Sequence, residues 1–80
     1  MAEMLNVSEE ELKRLRSEAE KYHTEGFSAR KQGDYDRAID LYTQALKILP
    51  VHFKALFNRG FAFDKIGKFD LAIEDYSKAT

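Results

Sequence analysis

The stretch Gly26-Phe27-Ser28-Ala29-Arg30-Lys31-Gln32-Gly33-Asp34-Tyr35-Asp36-Arg37-Ala38-Ile39-Asp40-Leu41-Tyr42 is answered 34 residues later by Gly60-Phe61-Ala62-Phe63-Asp64-Lys65-Ile66-Gly67-Lys68-Phe69-Asp70-Leu71-Ala72-Ile73-Glu74-Asp75-Tyr76. Working outward, Ala19–Leu46 aligns with Phe53–Thr80, and nine of the 28 positions are identical. The identities concentrate at small and aromatic residues, among them Gly26/Gly60, Gly33/Gly67, Ala38/Ala72, Tyr42/Tyr76 and Ala45/Ala79. Self-similarity at one fixed offset is the mark of a repeat architecture, in which each unit buries its face on the next.

Each copy reads as two helices. Tyr22, Gly26 and Ala29 recur at spacings of four and three, the period of one helix face. Gly33 suits the left-handed position that ends a helix, and Asp34 caps the next one. Ala38, Leu41, Tyr42, Ala45, Leu46 and Leu49 restart the helical period, and Pro50 stops it. Leu56, Gly60 and Phe63 repeat the first half, and Ala72, Ile73, Tyr76 and Ala79 the second. Beta-branched alternation is absent, which speaks against strands. Glycine in mid-helix costs about 1 kcal/mol against alanine. Gly26 and Gly60 therefore predict close approach of a second helix, with Ala38 and Ala72 as the facing flat surface and Tyr42 and Tyr76 filling the gap beside it.

The pattern resembles that of the tetratricopeptide-repeat family. Its signature positions are occupied here by Tyr22-x-x-Glu25-Gly26-x-x-Ala29, then Ala38-x-x-x-Tyr42, Ala45 and Pro50. The second copy has Leu56-x-x-Arg59-Gly60-x-x-Phe63, then Ala72-x-x-x-Tyr76 and Ala79. The departures are Glu25 and Arg59 in a leucine slot and Ala29 in the first aromatic slot; charged residues before the glycine are similar to those of co-chaperone-type repeats. The resemblance covers residues 19–80 and implies an all-α, solenoid-type fold of helix-turn-helix repeats, four antiparallel helices in all.

At the N-terminal side, Ser8 followed by Glu11 is a capping box, and Leu12, Leu15, Ala19 and Tyr22 keep helical spacing. One extended first helix from about Ser8 into the Gln32 region is the consequence. The expected organisation is a flexible lead over 1–7, an extended helix plus first repeat over 8–50, and a second, C-terminally truncated repeat over 51–80. Thr80 falls inside the last helix, so the chain reads as a piece of a longer repeat array.

Composition removes several function classes. With 44% hydrophobic and 34% charged residues, the 80-residue chain is too apolar for disorder and too charged to reside in a bilayer. No run of about 18 apolar residues exists to span one, and no basic-then-apolar leader opens the chain. Absent cysteines fit a reducing, cytoplasmic setting. Charge is spread evenly: −2 over residues 1–18, 0 over 19–50 and +1 over 51–80. A basic stripe of the kind that grips nucleic acid is missing. His23 and His52 lie far apart, and Glu20 with His23 at i, i+3 is the single pairing at helical spacing, so both histidines read as solvated or interfacial. No nucleophile elbow or phosphate loop is present. Glu9-Glu10-Glu11 and Glu74-Asp75 read as helix-start charges or solvated faces. Neither catalytic residues, nor a cofactor site, nor a metal site emerges, and the chain reads as a non-enzymatic scaffold or adaptor.

The resemblance implies a concave face lined by the first helix of each repeat. That face would carry His23, Phe27, Arg30 and Lys31 from one copy, and Lys54, Phe57, Asn58, Phe61, Asp64 and Lys65 from the other. Aromatic anchors flanked by basic and amide donors suit a peptide of acidic character. Phe27, Phe57 and Phe61 are the expected anchors, with Lys54, Asn58 and Lys65 as polar orienters. Family members that grip the terminal carboxylate of a heat-shock chaperone place lysine and asparagine on the first helix and asparagine on the third. The corresponding residues are His23, Phe27 and Asn58, and Asn58 alone matches. The alternative is self-association, as a dimer or by end-to-end stacking or helix exchange, through Ile73, Tyr76 and Ala79 of an uncapped last helix.

Overall fold

A computed structural model of the chain describes residues 7–80. The N-terminal lead expected to be flexible lies outside the described residues except for Val7, which is half-buried against the core. Four helices follow in order: α1 (Glu9–Lys31), α2 (Tyr35–Ile48), α3 (Phe53–Lys65) and α4 (Phe69–Lys78). No strand occurs among the described residues. Each helix packs on its chain neighbour, while α1 and α3 touch lightly. This is the expected all-α pair of helix-turn-helix repeats with a long first helix. Among the described residues no helix is long and apolar enough to cross a membrane.

The boundaries follow from local chemistry. Ser8 Oγ accepts from the Glu11 backbone N–H at 3.1 Å, and Glu9, Glu10 and Glu11 place negative charge at the positive end of the α1 dipole. At the other end, Gly33 N–H donates to Arg30 C=O at 2.9 Å and Asp34 N–H to Ala29 C=O at 2.9 Å. That double closure needs a left-handed residue, and Gly33 supplies it at φ +79°. The same closure recurs after α3, with Gly67 at φ +83° and Lys68 N–H donating to Phe63 C=O at 2.9 Å. Asp34 Oδ1 caps α2 through the Arg37 N–H at 3.2 Å. Lys68 stands in its place before α4 and makes no side-chain cap.

The core is built mainly from small residues. Ala19, Ala38, Ala45 and Ala55 are fully buried, and Tyr42 is the one large side chain among them without exposure. A Cβ at Gly26 would lie 2.7 Å from Tyr42 Cε1, so glycine is required for the ring to cross α1 there. Gly60 repeats the arrangement more loosely, with Tyr76 Cδ1 at 3.0 Å and the Ala72 carbonyl at 3.2 Å. The close approach anticipated from the glycine spacing is thus real in both copies.

One polar element was misread from the sequence. Asp75 does not sit on a solvated face; it is 2% exposed. Its two carboxylate oxygens accept from Arg59 Nε at 2.7 Å and Nη2 at 2.8 Å. Arg59 Nη1 also donates to Thr43 Oγ1 at 3.2 Å, and Thr43 in turn donates to the Ile39 carbonyl at 2.7 Å. The arginine in the leucine slot therefore ties α3 to both α4 and α2. At the 34-residue offset the pair corresponds to Glu25 and Leu41, so the ion pair belongs to the second copy alone. Removing one partner of a buried pair leaves the other uncompensated and costs roughly 3–5 kcal/mol, whereas replacing both by apolar groups is often near neutral. Asp75→Ala is expected to destabilise by about 3 kcal/mol, the low end because Arg59 retains some solvent contact. Arg59→Leu/Asp75→Leu should recover most of that loss in urea unfolding. A double variant as unstable as the single one would show that the pair does not act as a unit.

Candidate peptide-binding face and the histidine bridge beside it

α1 and α3 are the first helices of the two repeats, and they touch. There the structure brings Phe27, Arg30, Lys31, Phe61 and Lys65 into one cluster. The Arg30 guanidinium carbon lies 4.6 Å from the ring centroids of both Phe27 and Phe61. Lys31 Nζ is 5.0 Å from the Phe27 centroid, and Lys65 Nζ is 5.3 Å from that of Phe61. Phe27 and Phe61 occupy the same repeat position and are half-buried, so a single arginine bridges equivalent rings of the two repeats. Among the described residues none of Arg30, Lys31, Lys54 and Lys65 is in an ion pair.

The remaining candidates fall elsewhere. Phe57 is 54% exposed and packs against Tyr76, its ring tilted 50° to the phenol with centroids 5.4 Å apart. Asp64 lies close enough to Tyr76 for its charge, secondary to burial, to push the phenol pKa up. His23, expected on the open face, is instead buried beneath it, with its ring 5.7 Å from Tyr42 and 5.1 Å from His52. The three residues expected to drive self-association are also divided. Ile73 is 62% exposed, while Tyr76 is half-buried between Phe57 and Gly60, and Ala79 is half-buried. The exposed apolar side chains of α4 are Phe69, Leu71 and Ile73.

Sequence reasoning left the two histidines unconnected; the fold joins them through Glu20. His52 is the N-cap of α3, and its Nδ1 accepts from the Ala55 N–H at 3.2 Å. Its proton therefore sits on Nε2 and is donated to Glu20 Oε2 at 3.0 Å. Asn58 Nδ2 donates to His23 Nε2 at 2.9 Å, which leaves the His23 proton on Nδ1, donated to Glu20 Oε1 at 3.3 Å. These tautomers are assigned from the hydrogen-bond polarity, and they satisfy every contact with both rings neutral and Glu20 ionised. The signal that could have found His52 is its place three residues before Ala55, the spacing of a cap, but histidine is an uncommon cap.

Burial pushes the His23 pKa down from 6.5, with His52 and Lys54 adding to the fall and Glu20 opposing it. For Glu20, partial burial works upward but is outweighed by the hydrogen bonds and charge of His52 and His23, so its pKa falls below 4.5. In both cases the unfolded chain holds the proton more readily. Stability from His23 is complete above pH 6.5 and is lost as pH falls through the lowered folded value. Glu20 adds a second loss in the same direction as pH falls below 4.5. Urea midpoints, taken in buffer with a chelator, are expected to drop from pH 8 toward pH 5, and His23→Gln should flatten that slope. An unchanged slope in the variant would place the titration elsewhere.

Comparison with known proteins agrees with this architecture. The profile described as tetratricopeptide repeat matches residues 23–80. A heat-shock cognate co-chaperone, sgt12 of Aspergillus fumigatus, is 43% identical over 63 residues, covering 79% of this chain and 18% of that protein. The chain thus spans under a fifth of the curated relative it resembles. It belongs to the tetratricopeptide-repeat family, and both likenesses support a protein–protein interaction module.

Proposed function

We propose, with family membership as the premise, that the α1/α3 face binds an acidic peptide segment of a partner protein. The observation that carries this reading is the Arg30 guanidinium set against both Phe27 and Phe61, with Lys31 and Lys65 beside them and none of the three cations ion-paired among the described residues. Half-buried aromatics supply contact area and arginine supplies charge, both residue types enriched at interfaces, while the two lysines add charge at the rim. Phe57 and Lys54, outside that cluster and nearer the start of α3, are exposed and would lengthen the bound segment.

The relative's co-chaperone name makes a heat-shock cognate chaperone a candidate source of the peptide. The carboxylate-clamp version of that idea fares less well. His23 and Phe27 stand where the clamp places lysine and asparagine, and Asn58 is already engaged by His23. Binding through acidic side chains is therefore favoured over binding through a terminal carboxylate. Titration of a labelled acidic peptide, with a free and with an amidated C-terminus, tests the assignment. Arg30→Gln and Phe61→Ala should each weaken binding about tenfold or more, the range of a hot-spot loss. Added salt should weaken it further, and amidation should change it little. Binding that survives Phe61→Ala combined with Asn58→Ala would overturn the site.

A second reading rests on α4. Phe69, Leu71 and Ile73 are 59%, 42% and 62% exposed on one short helix, an unusual concentration of apolar surface. Self-association through that helix would bury it. A sedimentation coefficient that rises with concentration and reverts in Ile73→Lys supports it, and a strict monomer at high concentration removes it.

A further inference from the structure

We propose that Glu20, His23 and His52 form a binding site for a first-row transition ion of the zinc type. The three side chains each bring one ligand atom within 4.8 Å of the other two. His23 Nδ1 is 3.3 Å from Glu20 Oε1, and His52 Nε2 is 3.0 Å from Glu20 Oε2. Zinc bonds to imidazole nitrogen and carboxylate oxygen are about 2.0–2.2 Å long, so neighbouring ligands of a tetrahedral ion lie about 3.3 Å apart. Each ring nitrogen therefore already stands about one such edge from a Glu20 oxygen, His23 from Oε1 and His52 from Oε2, and a small turn of the half-exposed carboxylate brings one oxygen between both. Two nitrogens and one oxygen form the donor set that zinc takes at sites with an open position, and hard oxygen-seeking cations are disfavoured by it.

The surroundings supply what a site needs beyond its ligands. The His23 and His52 side chains are 11% and 9% exposed and their rings lie 5.1 Å apart, so their positions are set before any ion arrives. The Glu20 side chain is half exposed and borders a surface groove with Ser17, Phe53 and Lys54, which gives an entry path and room for a water ligand. The far nitrogen of His23 faces the Asn58 amide at 2.9 Å. With an ion on Nδ1, the His23 proton moves to Nε2 and is donated to Asn58 Oδ1 once that amide turns over, an outer partner of the usual kind. Lys54 and Arg16 border the same groove and repel a cation, so the bonds to nitrogen must supply the affinity.

His52 gives the site a distinctive cost. Its Nδ1 accepts from the Ala55 N–H, and an ion on Nε2 requires the ring proton on Nδ1 instead. No proton is released from either ring; each shifts to the nitrogen facing away from the ion. Loading therefore removes the side-chain cap of α3, and the cap and the ion exclude each other. A shared Glu20 carboxylate held by two ring N–H groups becomes a carboxylate and two imidazoles held by one ion.

Calorimetric titration with zinc, and visible absorption with cobalt as the spectroscopic stand-in, test the proposal on the full chain. One equivalent should bind, with the intense cobalt bands of a tetrahedral site. His52→Asn keeps a side-chain acceptor for the Ala55 N–H but removes the imidazole. Glu20→Gln keeps an acceptor oxygen at a half-exposed position but removes the charge. Both variants should weaken binding by about tenfold or more, the loss typical even of outer-shell changes. Zinc should also shift the Ala55 amide resonance in the unmutated protein and leave the Ala72 amide in place. Absence of binding, or binding unchanged in Glu20→Gln and His52→Asn, overturns the site; should His52→Asn fail to fold, Glu20→Gln alone decides.

Discussion

The contact between the Tyr42 ring and the bare backbone of Gly26 sets the distance between the first two helices, and the rest of the packing is arranged around it. Tyr42 is wholly buried, and no side chain at position 26 leaves room for the ring. The helix gives up about 1 kcal/mol by carrying glycine there. An extra methyl pressed against a ring that cannot yield costs roughly 1–3 kcal/mol, and losing a buried aromatic costs about 3–5 kcal/mol. Glycine is therefore the cheaper choice. From Tyr42 the contact chain runs to His23 and on to His52 at the start of α3, so one ring links the first helix pair to the second. Tyr76 over Gly60 repeats the device where the ring is less enclosed.

A core made mostly of alanine buries little area for each residue it orders, and in a small domain that leaves polar contacts to fix the register between repeats. Arg59 with Asp75 does so between α3 and α4, and through Thr43 it reaches α2. Glu20 with the two histidines does so between α1 and the start of α3. Buried charge pairs add little net stability against apolar substitutes, so their value here is directional. An alanine face slides; a bidentate guanidinium does not.

The helices and turns were legible because each rests on residues that act locally. Gly33 and Gly67 close their helices through backbone geometry, and Ser8 and Asp34 cap through side chains three residues away. The repeat offset carries the Gly26–Tyr42 contact in the spacing alone. What escaped was polar and long-range. His23 and Asn58 are separated by 35 residues and Glu20 and His52 by 32, so helical spacing carries no sign of either bond. Asp75 looked solvated beside the exposed Glu74, although its repeat counterpart Leu41 stands on the apolar stripe of α2; its partner Arg59 lies 16 residues away on another helix, where spacing gives no sign of it. Tyr76 looked available for association, yet Phe57 from the preceding helix lies against it. Periodicity reports which side of a helix is apolar; it does not report which neighbour covers it.

The division of labour among the polar side chains bears directly on binding. His23, Asn58, Arg59 and Asp75 are spent on internal bonds, whereas Arg30, Lys31 and Lys65 are held by aromatic faces. An ion pair would orient these cations but also cancel their charge. A ring quadrupole orients a cation and carries no net charge of its own, so the field of the guanidinium and the two ammonium groups persists toward solvent. Arg30 is even felt inside the core, where its charge moderates the upward push of burial on the Tyr42 hydroxyl. Two repeated phenylalanines thus do what two carboxylates could not: they fix the position of positive charge at the junction of the repeats and leave it unneutralised, as the proposed acidic peptide requires.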